Sequence, residues 1–103
     1  MTKSLESERR LNKRISFIKD MEVGVGLRRS ADLSLGGMYL ETVTNFPIGS
    51  ILDLRFKLQA NDDHTIQAQA KVLYEHTGIG IGLCFVNLSS EDYEKINLFV
   101  EQS

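Results

Sequence analysis

The sequence predicts an all-β fold, a six-stranded antiparallel β-barrel with a C-terminal α-helix and a flexible N-terminal arm. Three observations lead there. From Ile15 to Phe85, apolar residues alternate with polar residues or glycine, a period of two. The alternating runs are separated by short links bearing glycine, proline or asparagine. Only after Ser89 does the apolar spacing lengthen to that of a helix.

Residues 1–14 form the arm. Leu5 and Leu11 are its only sizeable apolar groups beyond Met1, and Arg10 and Arg14 repel at i,i+4, so little fixed structure is expected there. The barrel unit is expected over 15–103. Ile15 and Phe17 flank Ser16, and Val23, Val25 and Leu27 alternate with Gly24 and Gly26. Glycines this frequent in a strand pattern suggest a bulge or tight bend. After the turn Asp32–Gly37, Met38 and Leu40 resume the pattern with Tyr39 and Glu41 opposite. Asn45–Gly49 is a turn around Pro47. Leu52, Leu54, Phe56 and Leu58 share one strand face, and Gln59–His64 is a polar hairpin loop. Ile66, Ala68, Ala70, Val72 and Tyr74 share the next face; Ile79, Ile81, Leu83 and Phe85 alternate with Gly80, Gly82 and Cys84. Ser89 then reads as an N-cap ahead of Glu91 and Asp92, with Tyr93, Ile96, Phe99 and Val100 forming a helical stripe that closes one mouth of the barrel.

With 103 residues the chain makes one domain with a single modest core. No apolar run approaches the roughly 20 residues of a membrane span, and the polar N-terminus lacks a secretory signal, so no membrane insertion is expected. One cysteine, Cys84, allows no intrachain disulfide, which fits a reducing cytoplasm. The net charge of −2 is uneven: residues 1–14 carry +3 and the rest −5. An acidic body does not track along duplex nucleic acid, whereas a basic patch confined to one segment suits a small anion. His64 and His76 sit in expected loops without companions at metal-ligand spacing, and no nucleophile is paired with a base, so neither metal chemistry nor enzymatic activity is expected.

Two polar signatures carry the functional signal: Arg10-Leu11-Asn12-Lys13-Arg14 and Asp32-Leu33-Ser34-Leu35-Gly36-Gly37. A guanidinium grips phosphate, or the N7/O6 edge of guanine, through two parallel hydrogen bonds. A carboxylate repels phosphate but accepts hydrogen bonds from guanine N–H groups. Together they suggest a ligand carrying both phosphate and guanine.

These signatures, preceded by Glu8-Arg9, resemble the RxxxR and [DN]xSxxG motifs of the PilZ domain family of cyclic di-GMP receptors. Gly78–Phe85 followed by Leu88–Asp92 is similar to that family's last strand and helix start. The resemblance implies that Arg10 and Arg14 clamp the ligand from a loop over the barrel. It implies that Asp32 takes the guanine N1–H and N2–H₂, after first pairing with an arginine that holds the site. Ser34 would hydrogen-bond the ligand, and Gly36 and Gly37 would shape the turn and let the ligand approach the backbone. Arg9 is associated with a stacked pair of ligand molecules, and Tyr74 with stacking on the ligand, although its alternation with Val72 argues equally for core. No cofactor beyond the ligand is implied. The expected function is a receptor that reorders its arm and signals to a protein partner; the alternative is an adaptor that binds nucleotide weakly or not at all. A single-stranded RNA-binding barrel is disfavoured by the acidic body and by the lack of a surface aromatic cluster in the sequence reading.

Overall fold

The computed structural model describes residues 13–103, so of the arm only Lys13 and Arg14 are placed, and Arg9 and Arg10 lie outside the described residues. The strands are β1 (Ile15–Ser16), β2 (Asp20–Val23), β3 (Gly26–Leu33), β4 (Gly37–Glu41), β5 (Ile51–Phe56), β6 (Ile66–His76) and β7 (Gly80–Leu88). One helix, α1 (Ser90–Glu101), follows. Six strands run in the order β3-β2-β5-β6-β7-β4, and β4 pairs back with β3 to close the barrel; two-residue β1 adds a rung to β3. Every pairing is antiparallel.

Alternation built this barrel where it was uninterrupted. Leu54 and Phe56 of β5, and Ile66, Ala68, Ala70 and Val72 of β6, all face the core, where Leu33, Met38, Leu40 and Ile81 are fully buried. Where glycine or a bulge intervenes, the alternation misleads. Val23 is buried, but Gly24 has φ +60° and starts the hairpin turn between β2 and β3, leaving Val25 and Leu27 exposed rather than in one strand with Val23. Ile79 likewise belongs to the turn after His76, stabilised by its N–H donating to the His76 carbonyl at 2.9 Å, and is exposed. The β5 strand ends at Phe56, although Leu58 still turns inward.

Ser89 caps α1, its Oγ accepting from the Asp92 N–H at 3.0 Å. Ile96 and Val100 insert into the barrel core, and the Phe99 ring meets Phe17 edge-on at 5.7 Å, with Phe17 in turn 5.9 Å from Phe56. The helix therefore seals one end, while Tyr93 stays on its outer side. Asp92 is buried in the first helical turn. Its carboxylate accepts from the Gln67 N–H at 3.1 Å and lies 2.5 Å from His64 Nε2, tying the helix start to β6 and the loop before it. His64 is thus a packing partner rather than a free loop histidine.

Candidate ligand-binding site

The β3–β4 connection, Ser34 to Gly36, makes a corner that closes on itself. The Ser34 N–H donates to the Gly37 carbonyl at 2.8 Å, and the Ser34 hydroxyl lies 3.2 Å from both the Gly37 N–H and the Gly37 carbonyl. The Gly36 carbonyl accepts from the Phe85 N–H at 2.9 Å, anchoring the corner to β7. Gly37 pairs with Cys84, and a Cβ on Gly37 would fall onto the Leu83 carbonyl. Ser34 is buried and Gly37 is walled in by β7, so both first serve the corner's own geometry. In this conformation the Ser34 hydroxyl is spent on the turn.

Asp32 reaches the outer surface because the β3–β4 register slips between Ser30 and Asp32. Ser30 turns inward and donates its hydroxyl proton to the Phe17 carbonyl at 2.6 Å, while Asp32 turns out. There Arg14 Nη1 meets Asp32 Oδ1 at 2.5 Å, an ion pair between the two motifs, as the resemblance implied. Both side chains keep substantial solvent exposure, 48% and 33%.

Cross-strand register extends this corner across the barrel. Asp32 pairs with Tyr39, Tyr39 with Gly82, and Gly82 with Tyr74, one row over four strands. Tyr74 joins this row through a second slip, between Val72 and Tyr74. Val72 is inside, and both Leu73 and Tyr74 are outside, which settles the ambiguity of Tyr74 in favour of the surface. The Tyr74 ring lies over Gly82 where a Cβ would otherwise project, and the Tyr39 ring lies over Gly80 in the same way. Beside them His76 ends β6, with its Nδ1 2.9 Å from Tyr39 Oη. The three rings form one cluster, with centroids 6.4 Å (Tyr39–Tyr74), 5.8 Å (Tyr39–His76) and 5.3 Å (Tyr74–His76) apart. Burial, then the nearby Tyr74, Asp32 and Glu41, raises the Tyr39 pKa above the ordinary tyrosine value, so the phenol keeps its proton at neutral pH.

A groove of about 540 Å³ opens at the corner, lined by Arg14, Ser34, Gly36, Leu73, Val86 and Tyr93 among others. The structure therefore brings Arg14, Asp32, Ser34, Gly36 and Gly37 together at one corner, and a strand row runs from it to Tyr74, so these are the residues of the candidate site. The expectation that no surface aromatic cluster exists is corrected: the Tyr39–Tyr74–His76 cluster is one. Its signal was present in the sequence. Tyr39 alternates outward with Glu41, and Gly80 and Gly82 leave β7 bare on its outer face, which invites rings from the flanking strands. Among the described residues no group of three or more His, Cys, Asp or Glu is placed to hold a metal ion, and no helix is long and apolar enough to cross a membrane.

Among solved structures, the inhibitor of motility MotI/DgrA of Bacillus subtilis superposes with a TM-score of 0.76 at 16% identity, over 86% of this chain and 47% of that one. The chain thus spans about half the length of that protein. An uncharacterized protein of Legionella, Lpg0364, superposes with a TM-score of 0.58 at 14% identity, over 86% of this chain and 90% of that one. Identities this low speak for the fold alone. No sequence among curated proteins matches the chain. The family model for the PilZ domain matches residues 6–102, a span that holds both motifs, the barrel and the helix that seals it. The chain belongs to the PilZ domain family.

Proposed function

We propose that this chain is a cyclic di-GMP receptor module that reorders its N-terminal arm on binding and signals to a protein partner. The observation that carries the reading is the Arg14–Asp32 ion pair, which joins motifs 18 positions apart at one exposed corner. The pair keeps each group in place for a different part of the ligand. A guanine offers N1–H and N2–H₂ to Asp32, and the freed Arg14 guanidinium then turns to a phosphate or to the N7/O6 edge. Arg10, with Arg9 beside it, supplies the second fork from the arm. Gly36 leaves the corner without a side chain, and the Ser34 hydroxyl either holds the corner's shape or re-aims to the ligand. Tyr74 offers a ring face to a base.

The energetics favour a switch. Each charge-assisted hydrogen bond contributes on the order of 1.5–3 kcal/mol net, and ordering each arm residue costs about 1–2 kcal/mol. Much of the contact energy is cancelled, so binding is reversible and the order of the arm tracks ligand. Such a module performs no reaction; it converts nucleotide concentration into a changed surface near its arm.

Isothermal titration of the full chain with cyclic di-GMP tests the reading. Arg10→Ala, Arg14→Ala and Asp32→Ala should each weaken binding at least about tenfold, or roughly 1.4 kcal/mol. The melting temperature should barely change, since Arg14 and Asp32 are on the surface. If all three leave the titration unchanged, the site lies elsewhere. No heat with the wild-type chain would favour the adaptor reading. Amide exchange over residues 1–14 should slow on saturation, and equal exchange in both states would count against arm reordering.

A further inference from the structure

We infer that the end of the barrel opposite α1 is the face through which two copies of this chain pair, tip to tip, leaving the Arg14–Asp32 corner of each copy free. The inference concerns residues outside both motifs and does not rest on the receptor reading.

The antiparallel order brings three connections to one end: the turn between β2 and β3, the long connection between β4 and β5, and the turn between β6 and β7. The Ser34–Gly36 corner, the loop before β6 and α1 lie at the other. Hydrogen bonds hold the three tips as one surface. The Thr42 N–H donates to the Ile79 carbonyl at 3.1 Å, which sets Val43 beside the β6–β7 turn. The Gly24 N–H donates to the Asp53 carbonyl, and the Gly49 N–H to the Val72 carbonyl, each at 2.8 Å. Arg28 rivets the long connection to β3. Its Nε donates to Thr42 Oγ1 at 3.1 Å, its Nη2 to Thr44 Oγ1 at 3.2 Å and its Nη1 to the Leu27 carbonyl at 2.7 Å, while the guanidinium lies 5.6 Å from the centre of the Phe46 ring. A face already fixed in this way loses little freedom when it is covered.

What the tips carry outward is apolar. Val25 is fully exposed, Val43 is 81% exposed, and Leu27, Ile48 and Ile79 are each exposed by 66% or more. Residues 23–27, 42–52 and 76–80 contain no Lys, Arg, Asp or Glu, in a chain of which 25% is charged. Single exposed aliphatic side chains are ordinary, but several converging on one uncharged end mark an interaction face. Depletion of charge is what sets the core of such a face apart from the rest of a surface.

Charge also selects the occupant. From residue 15 onward the chain holds seven basic and twelve acidic side chains, a net −5, so two copies repel along most approaches and least where their uncharged ends meet. An anionic membrane surface is held by basic groups, and the nearest one here, Arg28, is spent on the loops themselves. An unlike protein is told apart mainly by its charges, and this end has none with which to do so. A second copy brings the same uncharged apolar face, and a face that matches itself gives a closed two-fold pair rather than a growing fibre.

Sedimentation equilibrium of the full chain between about 10 μM and about 1 mM tests the inference. The average mass should climb from 11.6 kDa and level off at twice that value. Val25→Glu, Val43→Glu and Ile79→Glu each put an unpaired carboxylate into the covered face and should weaken pairing at least about tenfold. Their melting temperatures should match wild type, since all three side chains project into solvent. Leu98→Glu, on the exposed side of α1 at the other end, should pair as wild type does, and so should Arg14→Ala. A wild-type mass that stays at 11.6 kDa overturns the pair, as does one that passes twice that value without levelling. Pairing that survives all three tip variants overturns it too, by placing the contact elsewhere. Co-sedimentation of a monomeric wild-type chain with phosphatidylcholine vesicles, lost in the tip variants, would overturn it in favour of a lipid-facing end.

Discussion

Asp32 and Arg14 meet in the open, and exposed pairs of this sort contribute only about 0–1 kcal/mol to stability. That weakness suits the receptor role proposed above, because a ligand exchanging places with the pair would give up little. Ser34 is the opposite case. Its hydroxyl is buried with Gly37 as its partner, so Ser34→Ala leaves the Gly37 N–H poorly satisfied and should cost about 1–3 kcal/mol in chemical denaturation. A weaker titration in that variant would therefore mix structural and ligand effects. Gly37→Ala should be harsher, since the new methyl meets the Leu83 backbone and not a movable side chain; a melt at least several degrees lower is expected. Tyr39 carries a pH signature. Its pKa is raised in the folded state, so the stability tied to its protonated form is complete below the ordinary tyrosine value near 10 and is lost as pH rises through the folded value. Ultraviolet titration of tyrosinate should show a step above the ordinary tyrosine value, and Tyr39→Phe should remove it.

Among the elements, those whose packing follows simple alternation could be read directly from the sequence. Strands β5 and β6 and the helical stripe of Ile96 and Val100 follow from apolar spacing, because the register slip between Gln69 and Ala70 puts its extra residue on β7 and leaves the parity of β6 intact as far as Val72. Tyr74 could not be placed, since a one-residue slip reverses which face a side chain takes and depends on the partner strand as much as on its own sequence. The same holds for Asp32, whose motif was plain but whose outward aim rests on the slip beside Ser30. The meeting of Arg14 with Asp32 was foreseen through the motifs; the Tyr39–His76 contact, 37 positions apart, needed the closed sheet. Asp92 was legible as a helix-start acid, yet its burial against His64 and the Gln67 N–H was not. Asp92→Ala removes the acceptor for that N–H and should lower stability by about 2–4 kcal/mol in a denaturant melt. Because this contact is at the end of the molecule sealed by α1, ligand affinity should change far less than stability.

For the molecule as a whole, charge and closure divide the labour. The body of the chain is acidic and the first fourteen positions are basic, so attraction for an anionic nucleotide is concentrated where the sequence places the arginines. Raising salt should therefore weaken ligand affinity in the wild-type chain and do so less in Arg14→Ala, a comparison that titration at two ionic strengths would make. Closure of the sheet through β3 and β4 has a separate consequence. Among the described residues the six strands of the rolled-up sheet spend their rows of amides and carbonyls on one another, and two-residue β1 is the one short strand left with a single neighbour on which a foreign strand could be laid. A protein partner of the kind proposed above would then have to recognise the relief of the barrel's side chains, and the arm reordering proposed there would change that relief directly.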